Sequence, residues 1–146
     1  MKHAALTIGL LLVAGAPAFA QENLVAAREQ LMRSNVAAAQ VAGGMMKGEI
    51  PYSPAVGKSV IMTFDATALA FGEFFPEGAT SPGAAPKIWS DRAGFDAEIA
   101  KFQEASGAAV ELSGRPGPAD LAAFQTAVGP ILDTCKSCHE GYRIDD

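Results

Sequence analysis

Histidine and cysteine are almost absent from this 146-residue chain, which holds two of each. One histidine, His3, falls near the start, so His139 is the only one in the rest of the chain. A structural zinc site draws on four ligands, and two cysteines with one histidine do not fill it. Catalysis by a second, independently placed histidine is excluded on the same count. Charge is thin at 18% of residues, and aromatics make up 8%. There is no internal repeat, no low-complexity tract and no alternating stretch that would mark a half-buried strand. No apolar run reaches the ~18 to 20 residues that a membrane span needs.

What is present begins with an export signal. Lys2 and His3 make a short basic start, Leu6 to Val13 form an apolar run, and Ala18-Phe19-Ala20 gives the small-x-small pattern of a signal-peptidase site. Residues 1–20 are therefore expected to be a cleaved signal peptide, with residues 21–146 forming one domain in the periplasm and no membrane anchor. Loss of Lys2 leaves 10 of the 11 cationic residues against 16 anionic ones, a balance of −6 with histidine neutral. So acidic a protein is repelled by nucleic acid and by anionic lipid.

Four stretches carry helical periodicity, separated by breaks rich in proline and glycine. The first runs from about residue 24 to 46, with Leu24, Leu31, Ala38 and Met45 apolar. The second runs from about 54 to 75. Val60, Phe64, Ala68, Phe71 and Phe75 recur three or four apart on one face, and Pro76 ends it. A long loop is expected over residues 76–90. The third helix spans about 91 to 113, with Phe95, Ile99, Phe102, Ala109 and Leu112 inward. The fourth is expected to open at Pro118, with Asp120 at its positive end, and to run to about Arg143. Its inner face carries Leu121, Phe124, Val128, Leu132, Cys135 and Tyr142, and Pro130 predicts a bend. Four such helices joined by short loops pack most simply as an all-α, antiparallel up-down-up-down four-helix bundle.

The chemistry lies near the C-terminus, where Cys135-Lys136-Ser137-Cys138-His139 is a Cys-x-x-Cys-His motif of the kind that attaches haem c. On a helix, positions three and four apart share a face, so both thiols can reach two vinyl groups on one haem edge. His139, from the same turn, can place its imidazole on the iron. A disulfide between the cysteines would leave His139 without a use, and a thioredoxin-like site would sit in a strand-rich fold. One covalent haem c is the expected cofactor.

With that motif so close to the end of the chain, the sequence resembles the class II c-type cytochromes, the cytochrome c′ family. CKSCHEGYR from Cys135 to Arg143 looks like the family's closing motif, and Phe75-Pro76-Glu77-Gly78 and Ile88-Trp89-Ser90-Asp91 resemble two further landmarks. The resemblance covers nearly the whole of residues 21–146. It implies one of two branches: a high-spin cytochrome c′ with an empty sixth iron position that binds NO or CO, or a low-spin cytochrome c-556 with methionine there. The family's distal residue lies four positions after an arginine on the first helix, and here that pair is Arg28 and Met32.

Helix geometry bears on Met32 separately. His139 lies roughly 10 Å from its end of the bundle and Met32 roughly 13 Å from the same end, at ~1.5 Å per residue. Met62 lies near 20 Å from that end, and Met45 and Met46 sit at the far end of their helix. Met32 is the candidate sixth ligand, with plain core packing as its alternative. Arg28, one turn before Met32, is placed to pair with a haem propionate, or else is a solvated helix charge. The resemblance puts Arg143 near the proximal imidazole; compensation of the helix terminus is its other role. Trp89 packs either the haem or the bundle end.

The expected function is one-electron transfer by a low-spin haem ligated by His139 and Met32, serving redox partner proteins and not acting as an enzyme. The alternative is a gas-binding haem protein. Neither the redox partners nor the choice between monomer and homodimer is written in the sequence.

Overall fold

The computed structural model describes residues 16–144, so the apolar run of the expected signal peptide lies outside the described residues. Helix α1 spans Ala16–Met46, α2 Pro54–Phe71, α3 Lys87–Ser90, α4 Arg92–Ser113 and α5 Leu121–Tyr142. Among the described residues there is no strand, only an isolated antiparallel bridge between Ala84 and Arg143. The four long helices form an antiparallel bundle, and α3 is a single turn ahead of α4. Helix α1 is described from Ala16 on, upstream of the expected start near residue 24.

Local chemistry explains the helix ends. Gly48, at φ 76°, turns the chain out of α1 while Glu49 and Ile50 both donate backbone N–H to the Gly44 carbonyl, at 2.9 and 3.1 Å. Pro54 opens α2 at a position where its missing N–H costs nothing. Helix α2 ends at Phe71 and tightens into a 3₁₀ turn, Gly72–Phe74, before Phe75 leaves the helical region ahead of Pro76. The Asp91 carboxylate accepts from Gly94 N at the start of α4. At the start of α5, the Asp120 carboxylate accepts from Ala123 N at 2.8 Å.

That last cap corrects the expected start at Pro118. An N-cap aspartate is extended (φ −148°, ψ 177°), so the helix begins after it, at Leu121. Pro118 is instead buried beneath Tyr52, whose hydroxyl donates to its carbonyl. The α4–α5 turn depends on Gly117 at φ 99°, where any Cβ would collide with the Pro54 carbonyl. At its other end α5 stops one residue short of expectation, because Arg143 is extended. The helix is continuous through Pro130, which is exposed.

Two apolar clusters fill the bundle. One joins Ala38, Ala42 and Met45 of α1 to Val60, Ile61, Phe64, Phe102, Ala109, Phe124, Val128 and Ile131. The other joins Phe71, Phe75, Ile88, Phe95, Ile99 and Tyr142, with Leu31, Met32, Trp89 and Cys138 packed against them. In this second cluster Phe71, Phe75, Phe95 and Tyr142 form a chain of edge contacts with centroids 5.0, 4.8 and 5.4 Å apart. The α2 face therefore follows its periodicity. The α4 face departs from it at Leu112, which is 71% exposed. The buried stripe continues from Ala109 to Ser113, four positions on, and Leu112 falls beside it.

Candidate functional site

The site is built around the second cluster, at the end of the bundle where α1 begins and α5 finishes. Cys135 and Cys138 both carry free thiols and are half-buried on α5. Burial pushes the Cys135 thiol above its ordinary pKa. Burial, then the nearby Glu98 and Cys135, push Cys138 up to about 11. The Cys135 thiol donates to the Ile131 carbonyl at 3.3 Å. His139 follows on the same turn and is exposed, and its carbonyl accepts from Arg143 N at 3.4 Å.

Across from α5, Met32 packs in the same apolar cluster as Cys138. The other methionines considered for the site do not come near it. Met45 is buried in the opposite cluster, Met46 packs against that same cluster, and Met62 is 42% exposed on the outside of α2. Around the bundle α5 packs broadly on α4, α4 on α2 and α2 on α1. The contact between α1 and α5 is much thinner. The Met32 helix and the helix with both thiols are thus the neighbouring pair whose backbones approach least.

This arrangement suits a metal that brings its own equatorial ligands. Among the described residues no three His, Cys, Asp or Glu side chains come together in a way that could hold a bare ion. A haem iron needs only axial donors, and one imidazole and one thioether are available on facing helices. The two thiols, three residues apart, match the spacing at which such a macrocycle can be tethered.

The flanking residues have definite roles. Arg28 is 3% exposed. Its guanidinium donates to Phe74 O at 3.1 Å, Ala79 O at 2.7 Å and Ser81 Oγ at 2.8 Å. It also lies 4.6 Å over the Phe75 ring. It is therefore a buried clamp on the 74–81 segment and not a solvated charge; burial lowers its pKa, though guanidinium stays protonated. Arg143 is exposed, and its backbone joins the end of α5 to the loop: Ala85 N donates to Tyr142 O at 3.1 Å and Ile144 N to Gly83 O at 3.2 Å. The Trp89 indole donates to Pro76 O at 3.0 Å, fastening α3 to the loop.

Sequence reasoning missed one link. Ser137, inside the motif, donates to Glu98 Oε2 of α4 at 2.6 Å, and Lys101 pairs with the same carboxylate. The Lys101 bond, followed by the Ser137 bond, holds the Glu98 carboxyl below its usual pKa. Nothing in the local pattern signals this, because the partners are 39 positions apart on different helices.

Comparison with known proteins gives the family and the fold. The family described as Cytochrome C′ matches residues 23–143. Cytochrome c-556 of Rhodopseudomonas palustris is 32% identical, covering 98% of this chain and 97% of its own. Cytochrome c′ of the same organism is 31% identical over the same shares, 98% and 97%. Among solved structures, the oxidised R. palustris cytochrome c556 superposes with a TM-score of 0.72 at 32% identity, covering 86% of this chain and 98% of that one. The R. palustris cytochrome c′ gives 0.74 at 28% identity, with 84% and 97% covered.

Proposed function

The chain belongs to the cytochrome c′ family, whose members carry one covalent haem c, and on that premise we propose that it is a periplasmic one-electron carrier. In this reading Cys135 and Cys138 hold the haem, His139 is the proximal ligand and Met32 the sixth. The observation that carries it is the packing of Met32 and Cys138 into one cluster from facing helices. When bound, the haem supplies a one-electron ferric/ferrous couple.

The chain's own residues do the rest. Met32 closes the distal side, and a thioether opposite imidazole favours ferrous iron, which suits a carrier. Phe71, Phe75 and Phe95 keep water from that end of the core. Arg28 makes three of the five hydrogen bonds a guanidinium can donate, so N–H groups remain for a propionate. Arg143, placed at the C-terminal end of α5, sets a positive charge one turn from His139. No second histidine after residue 20 offers a distal acid or base, so the reading is of a carrier and not an enzyme. Export is supported by the basic start, the apolar run and the Ala18-Phe19-Ala20 site, and the family match begins at residue 23, just beyond it. Among the described residues no helix is long and apolar enough to cross a membrane.

The near-equal likeness to a cytochrome c′ favours a second reading, a gas-binding protein with five-coordinate iron. Spectra of the purified holoprotein separate the two. A low-spin ferric spectrum and no CO binding when reduced support Met32 ligation; a high-spin ferric spectrum with ready CO binding supports the second. Intact mass tests the attachment, with the expected species starting at Gln21, carrying one haem and having no alkylatable thiol.

A further inference from the structure

Among the described residues, one buried side-chain polar atom has no hydrogen-bond partner, and it is Asn35 Oδ1. Asn35 is 8% exposed. A buried carbonyl oxygen without a donor is destabilising, so a partner beyond the protein's own groups is called for.

Its place follows from the clusters. On α1, Met32 packs in the cluster at the α5 C-terminal end, and Ala38 in the opposite one; Asn35 lies midway between them. On α5, Cys138 belongs to the first and Ile131 to the second, and Cys135 lies between. On α2, Phe71 and Phe64 mark the two clusters, and Thr67, 1% exposed, lies midway. Asn35, Cys135 and Thr67 therefore share one level of the bundle, about 4.5 Å along α1 from Met32.

A haem held at Cys135 would bring its thioether edge to this level. That edge has no N–H or O–H donor: the pyrrole nitrogens face the iron, and the carboxylates lie on the opposite edge. A buried water supplies such a donor, and it needs at least two polar partners. The Thr67 hydroxyl is a second one at the same level.

We propose that Asn35 and Thr67 bind a buried water bridging α1 and α2 beside the haem attachment edge. The water donates to Asn35 Oδ1, and Asn35 acts as a positioning residue for it. A polar group beside that edge would stabilise the more highly charged ferric state and so hold the reduction potential down. The proposal rests on the attachment at Cys135 given above.

The test is a double-mutant cycle on the reduction potential of the holoprotein, together with a high-resolution crystal structure of the wild type. Asn35→Leu and Thr67→Val should each raise the potential, and the double variant should go no further than the larger single change, because one water is lost in every case. Asn35→Ser, which keeps an acceptor and room for water, should stay near wild type. The crystal structure should show an ordered water within hydrogen-bond distance of Asn35 Oδ1. A dry site, additive shifts or unchanged potentials overturn the proposal. If Asn35→Leu fails to give holoprotein, Thr67→Val and the crystal structure decide alone. A protein carrying haem but showing a dry site sinks only this inference, whereas an intact mass without haem sinks the attachment reading too.

Discussion

The most exacting demands on single side chains fall on methionines that differ only in place. Met32 shares a cluster with Cys138, Met45 is 1% exposed in the other cluster, and Met62 is 42% exposed. Met32→Ala should move the ferric spectrum from low-spin toward high-spin, allow the reduced protein to bind CO, and lower the potential as the thioether is lost. Met62→Ala should leave all three observables unchanged. Met45→Ala should also leave them unchanged, but lower stability by roughly 2–5 kcal/mol, as deletion of a fully buried side chain does. A Met32→Ala protein with a wild-type spectrum would reduce Met32 to packing. Arg28 makes a different demand. Replacing it with glutamine removes a buried, charged donor from Phe74 O, Ala79 O and Ser81 Oγ, and should cost at least about 2 kcal/mol. Urea unfolding measures that cost, and amide exchange should quicken first over residues 74–81. The Arg28–Met32 pair was legible in the sequence as spacing on one helix. The Arg28 clamp was not, because its acceptors on Phe74, Ala79 and Ser81 lie 46, 51 and 53 positions away, in a turn and loop whose course no local pattern specifies.

Among the helices, α4 and α5 are joined through a charge as well as through their apolar faces. Glu98 accepts from Lys101 and from Ser137, and its pKa is lowered by the Lys101 bond first and the Ser137 bond second. A carboxyl depressed in the folded state stabilises fully above its unfolded pKa near 4.5, and that contribution is lost as pH falls through the lower folded value. Ser137→Ala should therefore lower the melting temperature at pH 7, and the gap from wild type should shrink as the pH is taken below 4. A gap of equal size in acid would mean that the link does not depend on ionised Glu98. The helices themselves were largely legible because Val60, Phe64, Ala68, Phe71 and Phe75 repeat at the helical period and are all buried. Reading only apolar residues had a cost. Arg28, Asn35, Ser106 and Ser113 occupy inward positions as polar side chains, and the stripe was mistakenly carried through Leu112. The start of α5 was misplaced for a related reason: proline and aspartate both favour helix openings, and only the cap bond to Ala123 decides between them.

At the scale of the whole molecule, the question is whether the bundle can stand without its cofactor. One cluster draws on α1, α2, α4 and α5 and buries Phe64, Phe124, Ile61 and Ile131 completely. The other is built from Phe71, Phe75, Ile88, Phe95, Ile99 and Tyr142 of α5, with α1 contributing only partly buried Leu31 and Met32 and α5 adding partly buried Cys138. Helices α1 and α5 pack on each other less than the other neighbouring pairs do, and a haem held by α5 would add apolar contacts between them. Burial of haem surface stabilises by roughly 25 cal/mol per Å², and a group bound only to the folded state shifts the equilibrium by mass action. Replacing both Cys135 and Cys138 with alanine removes the tether and should leave little folded protein after export. What is recovered should melt broadly and at a lower temperature. Its amides should exchange fast along α1 near Met32 and along α5 beyond Leu132. Those near Phe64, Phe102 and Val128 should stay the best protected, because their cluster needs no haem. A double variant that keeps a sharp, unchanged melting transition and uniform protection would show that the apolar clusters alone close the α1–α5 seam.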